Sequence, residues 1–174
     1  MSDDFAHQLK IDQIRDGDRL DLVASETERQ AIAERLDLDS IGRLAAHAVL
    51  ERKGAVVQAR GRVQASLQQA CVVTGEPVPA HIDEPFDIIF TPEPDQARPD
   101  EEVELGAADC DVVFHDGSSI DLGAAIADTL ALALDPYPRS AGAEAAVKGA
   151  GILDGQQAGP FAALAALKGN SDKS

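Results

Sequence analysis

Across residues 57–68 apolar and polar positions alternate without a break. Val57, Ala59, Gly61, Val63, Ala65 and Leu67 face one way, and Gln58, Arg60, Arg62, Gln64, Ser66 and Gln68 the other. Period-two alternation of this kind predicts a half-buried strand, here with one wet and mildly basic face. The preceding stretch from Ile41 is less clean. Leu44, Ala46, Ala48 and Leu50 alternate with Arg43, Ala45, His47 and Val49, a strand expected to bury both faces, and Lys53-Gly54 turns it into the next. After a second turn carrying Cys71, the residues Val78, Ala80, Ile82, Phe86, Ile88 and Phe90 share one side, with Glu84 the charged exception. Pro79 and Pro85 lack a backbone donor and so predict an edge position or a bulge. The three strands read as an antiparallel meander.

Before them, residues 5–14 and 19–24 predict short strands around the turn Asp16-Gly17-Asp18. Ser25 followed three positions later by Glu28 has the spacing of a capping box, starting a helix to about Leu36 with Ile32 and Leu36 facing the core. Residues 91–104 are acidic and proline-rich and predict a loop. Residues 110–115 add one more strand. Ser118 or Asp121 then caps a helix over 120–134, whose Leu122, Ile126, Leu130, Ala133 and Leu134 recur at helical spacing until Asp135-Pro136 stops it. The fold class expected is α+β: one domain over 1–139, its antiparallel meander open to closing into a barrel, packed by this C-terminal helix and a smaller N-terminal one. Residues 140–174 predict a flexible tail, except for an apolar motif at 160–168. There Phe161, Leu164, Ala165 and Leu167 line one side of a helix too short to hold alone in water.

Composition sharpens this picture. The 174 residues are 44% hydrophobic but only 3% aromatic, so the core is expected to be built of small and aliphatic residues, anchored by Phe5, Phe86, Phe90 and Phe114. Net charge is −16, which disfavours broad, charge-driven binding to nucleic acid and favours a basic partner. The N-terminus has neither a basic start nor an apolar core, so no signal peptide is expected. No apolar run approaches the roughly 18 residues a membrane span needs. Two cysteines predict no disulfide framework, and a cytoplasmic setting follows.

The charge is unevenly spread. Residues 91–128 hold eleven carboxylates against Arg98 alone, ten of the sixteen net negative charges. They read either as a solvated loop and helix start or as a patch that steers a basic partner. Glu101, Glu102, Glu104, Asp109 and Asp111 are the candidate contacts, joined by Phe161, Leu164 and Leu167 of the tail as a docking peptide. Arg43, Arg52, Lys53, Arg60 and Arg62 give the central strands a positive balance against Glu51. Arg60 and Arg62 are candidates for touching RNA phosphates, while pairing across strands with Asp83 and Asp87 is the simpler expectation.

Candidate chemistry is sparse. Zinc needs about four ligands, and Cys71, Cys110, His81 and His115 match no standard spacing, which leaves Cys71 a weak metal candidate and a buried thiol the better reading. His7 and His47 are equally scattered. Gly149-Ala-Gly151 lacks the flanking strand and helix of a phosphate loop. No catalytic constellation and no cofactor are expected.

Two stretches carry a resemblance. The run Gln69-Ala-Cys-Val-Val-Thr-Gly-Glu-Pro-Val78 with Phe86 and Phe90, and Ile120-Asp-Leu122 with Leu132-Ala-Leu-Asp-Pro136, resemble the YceD family of large ribosomal RNA subunit accumulation proteins, in its alphaproteobacterial form. The likeness covers residues 9–139 in order of elements, and the tail around Phe161 in composition. Many such proteins carry Cys-x-x-Cys at this turn, half of a zinc site. Here Thr74 stands at the fourth position, which puts a metal role in doubt. The resemblance implies a non-enzymatic role in producing or stabilising 23S ribosomal RNA, and together with the net charge of −16 it leads to a basic ribosomal protein or pre-50S particle as the expected partner. Direct contact of Arg60 and Arg62 with ribosomal RNA is the alternative. A nuclease would instead need clustered carboxylates holding magnesium.

Overall fold

The computed structural model describes residues 5–93 and 111–150. The fold is α+β. Strands β2 (Asp18–Val23), β3 (Ser40–Lys53), β4 (Val56–Ala70), β5 (Pro77–Pro92) and β6 (Asp111–His115) form one sheet in chain order, and β1 (Gln8–Lys10) pairs with β7 (Ser119–Asp121) in a separate ribbon. The helices are α1 (Glu26–Arg35), α2 (Leu122–Ala133) and the short α3 (Ala143–Gly149). The sheet has two open ends, at β2 and β6, and so does not close into a barrel.

The alternation over 57–68 sets the sheet's inner face. Val57, Ala59, Val63, Ala65 and Leu67 are buried there, opposite Leu44, Ala46, Ala48 and Leu50 of β3 and Phe86, Ile88 and Phe90 of β5. The expectation that β3 buries both faces is corrected, since Arg43 and His47 are exposed on the other side. A register shift between Ile41 and Arg43 places the two buried residues Ile41 and Leu44 on one face despite their odd spacing. Gly61 lies directly opposite Phe86, and a Cβ there would meet the His47 carbonyl oxygen at 1.8 Å and the Phe86 ring at 2.8 Å. Only glycine lets those two strands carry an aromatic ring at this point.

Pro79 and Pro85 fall where β5 has β4 on one side only, because β6 begins opposite Ile88. The edge reading of the prolines is therefore right. The antiparallel meander of β3, β4 and β5 holds too, and β6 joins it running parallel to β5. Phe114 is the second correction. It points away from the core, 56% exposed, because its neighbours in the alternation, Val113 and His115, take the inner face opposite Phe90 and Pro92.

Helix α1 begins as expected, with Ser25 and Glu28 each bonding the other's backbone N–H. It ends in a Schellman motif. Leu38 N–H donates to the Ala33 carbonyl at 2.9 Å and Asp37 N–H to that of Glu34, with Asp37 in the left-handed region at φ 54°. Helix α2 is capped by Asp121, not Ser118. Its Leu122, Ile126 and Leu130 are fully buried against β4 and β5, while Ala133 and Leu134 are half-buried. Gly123 admits the N-terminal segment, since a Cβ there would stand 1.8 Å from the Phe5 carbonyl oxygen. The segments expected as strands at 5–14 shorten to β1 and one 3-10 turn, Ile11–Gln13. After Arg139, where little burial was expected, α3 forms and Ala143 is buried. The motif at 160–168 lies outside the described residues.

Candidate partner-binding surface

Three regions carry the candidate residues. The first is the outer face of β4 and β5. Register places Arg60 opposite Asp87, and Arg62 diagonal to Asp83. Arg60 Nε donates to Asp87 Oδ2 at 3.0 Å while its Nη1 lies 3.7 Å from Glu51, and Arg62 Nε donates to Asp83 Oδ1 at 2.8 Å. Gln58 and Gln64 add amide donors to Asp87 and Asp83. The Arg62 hydrogen bond holds the Asp83 carboxyl below the usual carboxylate range. His47 Nδ1 lies within hydrogen-bond distance of Asp21 Oδ1, at 2.8 Å, on the same face. The two arginines are thus engaged in a ladder of opposite charges, the simpler of the two expectations. A hollow of about 670 Å³ lies on this face, lined by Val23, Ala45 and Val49 among others, and its one aromatic ring is the imidazole of His47, which is bonded to Asp21.

The second region is the end of the sheet at β6 together with the start of α2. Its sequence contains no lysine or arginine between Arg98 and Arg139. Asp111 is exposed and has no basic partner among the described residues. Asp116 accepts from the Ser118 hydroxyl at 2.6 Å and from its N–H at 2.8 Å, which keeps its carboxyl below the ordinary range and ionised. Asp121 accepts from Ala124 N–H at 2.9 Å and from His7 N–H at 3.1 Å, tying β1 to the helix start. Asp128 has Arg35 at 3.8 Å, a long and exposed pair. His115 is buried. It accepts Gly117 N–H at Nδ1, so its proton sits on Nε2 and is donated to the Ala55 carbonyl at 2.8 Å, pinning β6 to the β3–β4 turn. Of the acidic candidates Asp111 is placed here, whereas Glu101, Glu102, Glu104 and Asp109, like Phe161, Leu164 and Leu167, lie outside the described residues.

The third is the β4–β5 turn. Cys71 is buried, and its sulfur accepts from Thr74 N–H at 3.5 Å and Ser140 N–H at 3.3 Å. A hydrogen bond from the Thr74 side chain, followed by the Ser140 backbone donor, lowers the thiol to about 6 against the opposing effect of burial. Val72 N–H donates to the Pro138 carbonyl at 2.9 Å, so the chain after α2 is laced onto this turn. Sequence reasoning missed Ser140, whose only signal is its position just past the proline that ends the helix. His81 bonds Ser66 and His115 bonds Ala55, so neither is brought to Cys71. Among the described residues no three His, Cys, Asp or Glu side chains are grouped to hold a metal ion.

The family model for the large ribosomal RNA subunit accumulation protein YceD matches residues 59–168, well over half of the chain. The chain belongs to the YceD family. The matched span runs from β4 through the acidic end of the sheet, the Cys71 turn and α3, and reaches the positions of Phe161, Leu164 and Leu167. It begins at β4, where the likeness read from the sequence began at residue 9. Comparison with curated proteins and with solved structures gives no match. The YceD description concerns ribosomal RNA of the large subunit and names no enzyme class. Among the described residues, no helix is long and apolar enough to cross a membrane.

Proposed function

We propose that this chain is a non-enzymatic factor for 23S ribosomal RNA accumulation, acting in the cytoplasm during large-subunit biogenesis by binding a basic ribosomal protein or pre-50S particle. The observation that carries this reading is the acidic end of the sheet. Ser118 holds the Asp116 carboxyl below the ordinary range, and among the described residues the one ion pair at this end is the long Arg35–Asp128 contact. Such a surface attracts a cationic protein and repels bare RNA phosphates. Glu101, Glu102, Glu104, Asp109 and Asp111 are its proposed contacts, and Phe161, Leu164 and Leu167 a proposed docking peptide. The experiment is affinity capture of the full chain from cells at low and physiological salt, with protein and RNA identified in the eluate. Ribosomal proteins or precursor particles are expected, and their absence at both salts removes the reading.

The alternative, direct contact of Arg60 and Arg62 with ribosomal RNA, requires both guanidiniums to exchange Asp87 and Asp83 for phosphates. Base stacking, which usually supplies affinity for single strands, would have only the His47 imidazole in the adjoining hollow, with no Phe, Tyr or Trp. The double variant Arg60→Glu, Arg62→Glu tests it. RNA retention lost with the fold intact supports this alternative, and unchanged retention excludes it.

A further inference from the structure

Strand β6 is the last in the sheet, paired with β5 on one side and bare on the other among the described residues. Open edges present a row of backbone donors and acceptors ready for another strand. This one also shows apolar surface, with Phe114 56% and Val113 36% exposed. Beside it runs a groove of about 290 Å³ between β6 and the start of α2. Phe90, Val113, Ala124 and Ala125 line its apolar part, and Asp116 and Asp128 its rim. The opposite edge differs, because β2 mixes Asp18 and Asp21 with Arg19.

The geometry points to the β6 edge as a docking site for an extended, Lys/Arg-rich polypeptide segment that adds to the sheet as a further strand. Charge complementarity selects this occupant. A strand laid on β6 forms main-chain hydrogen bonds, and its side chains alternate. Aliphatic ones lie over Val112 and Phe114 on one face, and basic ones reach Asp111 and the groove rimmed by Asp116 and Asp128 on the other. A second copy of this chain, edge to edge and antiparallel, sets the Asp111 end of one strand against the Asp116 end of the other, which like-charge repulsion disfavours. The inward-facing Asp111 is then a guard against self-pairing as well as a contact for the partner. This deepens the assembly-factor reading and rests on it, since it takes the basic partner from there.

The test uses the full chain with two synthetic peptides of roughly eight residues alternating lysine and valine, one unmodified and one N-methylated at every second residue. N-methylation removes the pairing donors of one strand edge and leaves charge and side chains in place. Hydrogen exchange of the β6 amides is followed by mass spectrometry alongside binding affinity. Slowed exchange across residues 111–115, with at least tenfold weaker binding of a methylated peptide in one of the two possible methylation phases, supports strand addition. Equal binding of unmodified and methylated peptides in both phases overturns it. So does protection that grows with protein concentration in the absence of peptide, which would assign the edge to a second copy. If strand addition fails while capture from cells still recovers ribosomal proteins, the broader reading stands and only the β6 site falls.

Discussion

Two surfaces of this molecule carry carboxylates and behave differently. On the outer face of β4 and β5, Asp83 and Asp87 stand beside Arg62 and Arg60, and the register of two long antiparallel strands neutralises them in place. At the end of the sheet, Asp111, Asp116 and Asp128 share their surroundings with almost no cation, and Arg35 reaches only one of them, at 3.8 Å. Composition separates them first, since no lysine or arginine lies between Arg98 and Arg139, and register does the rest by setting the arginines of β4 against the carboxylates of β5.

The comparison breaks most severely if the ladder's backbone is disturbed. Gly61 sits between Arg60 and Arg62 with no room for a Cβ, so Gly61→Ala is expected to cost about 3 kcal/mol of stability, read by urea unfolding. A cost under about 1 kcal/mol would mean the strands separate easily and the ladder is loose. Next in size is function. Asp111→Lys with Asp128→Lys is expected to weaken capture of ribosomal proteins roughly tenfold at low salt, with the difference shrinking as salt rises. Arg60→Glu with Arg62→Glu, on the neutralised face, should change capture less than about twofold. Equal effects of the two pairs would erase the distinction. The smallest effect is that of Arg62→Ala, expected to lower stability by less than about 1 kcal/mol because the pair is exposed. It should also return the Asp83 carboxyl toward its ordinary range, followed by NMR titration. Because the folded-state value is depressed, the wild-type contribution is present above the ordinary carboxylate range and is lost as pH falls through the folded value. The difference between wild type and variant should therefore vanish in acid.

Much of the sheet was legible because period-two alternation is a local signal. Residues 57–68, the Ser25 capping box and the Leu122, Ile126, Leu130 stripe each announce themselves within a few positions. The parallel direction of β6 was not legible, since alternation is the same in either direction and the connection to β5 carries no diagnostic pattern. Phe114 misled for a related reason. Aromatic rings usually mark a core, but one residue of register decides which of two adjacent apolar residues turns inward. The arginine ladder was foreseen as one of two outcomes, and only pairing could choose. The Thr74–Cys71–Ser140 contacts join positions 69 residues apart, a distance no local pattern bridges.

The close approach of Phe5 to Gly123 and the bond from His7 to Asp121 have a consequence for biosynthesis. Strand β1 is made more than a hundred residues before its partner β7, so this part of the domain cannot close until β7 and α2 have emerged. Until then the inner faces of β3 and β4 wait uncovered for α2, and a nascent chain in that state depends on rapid completion or on a chaperone to avoid sticking to its neighbours.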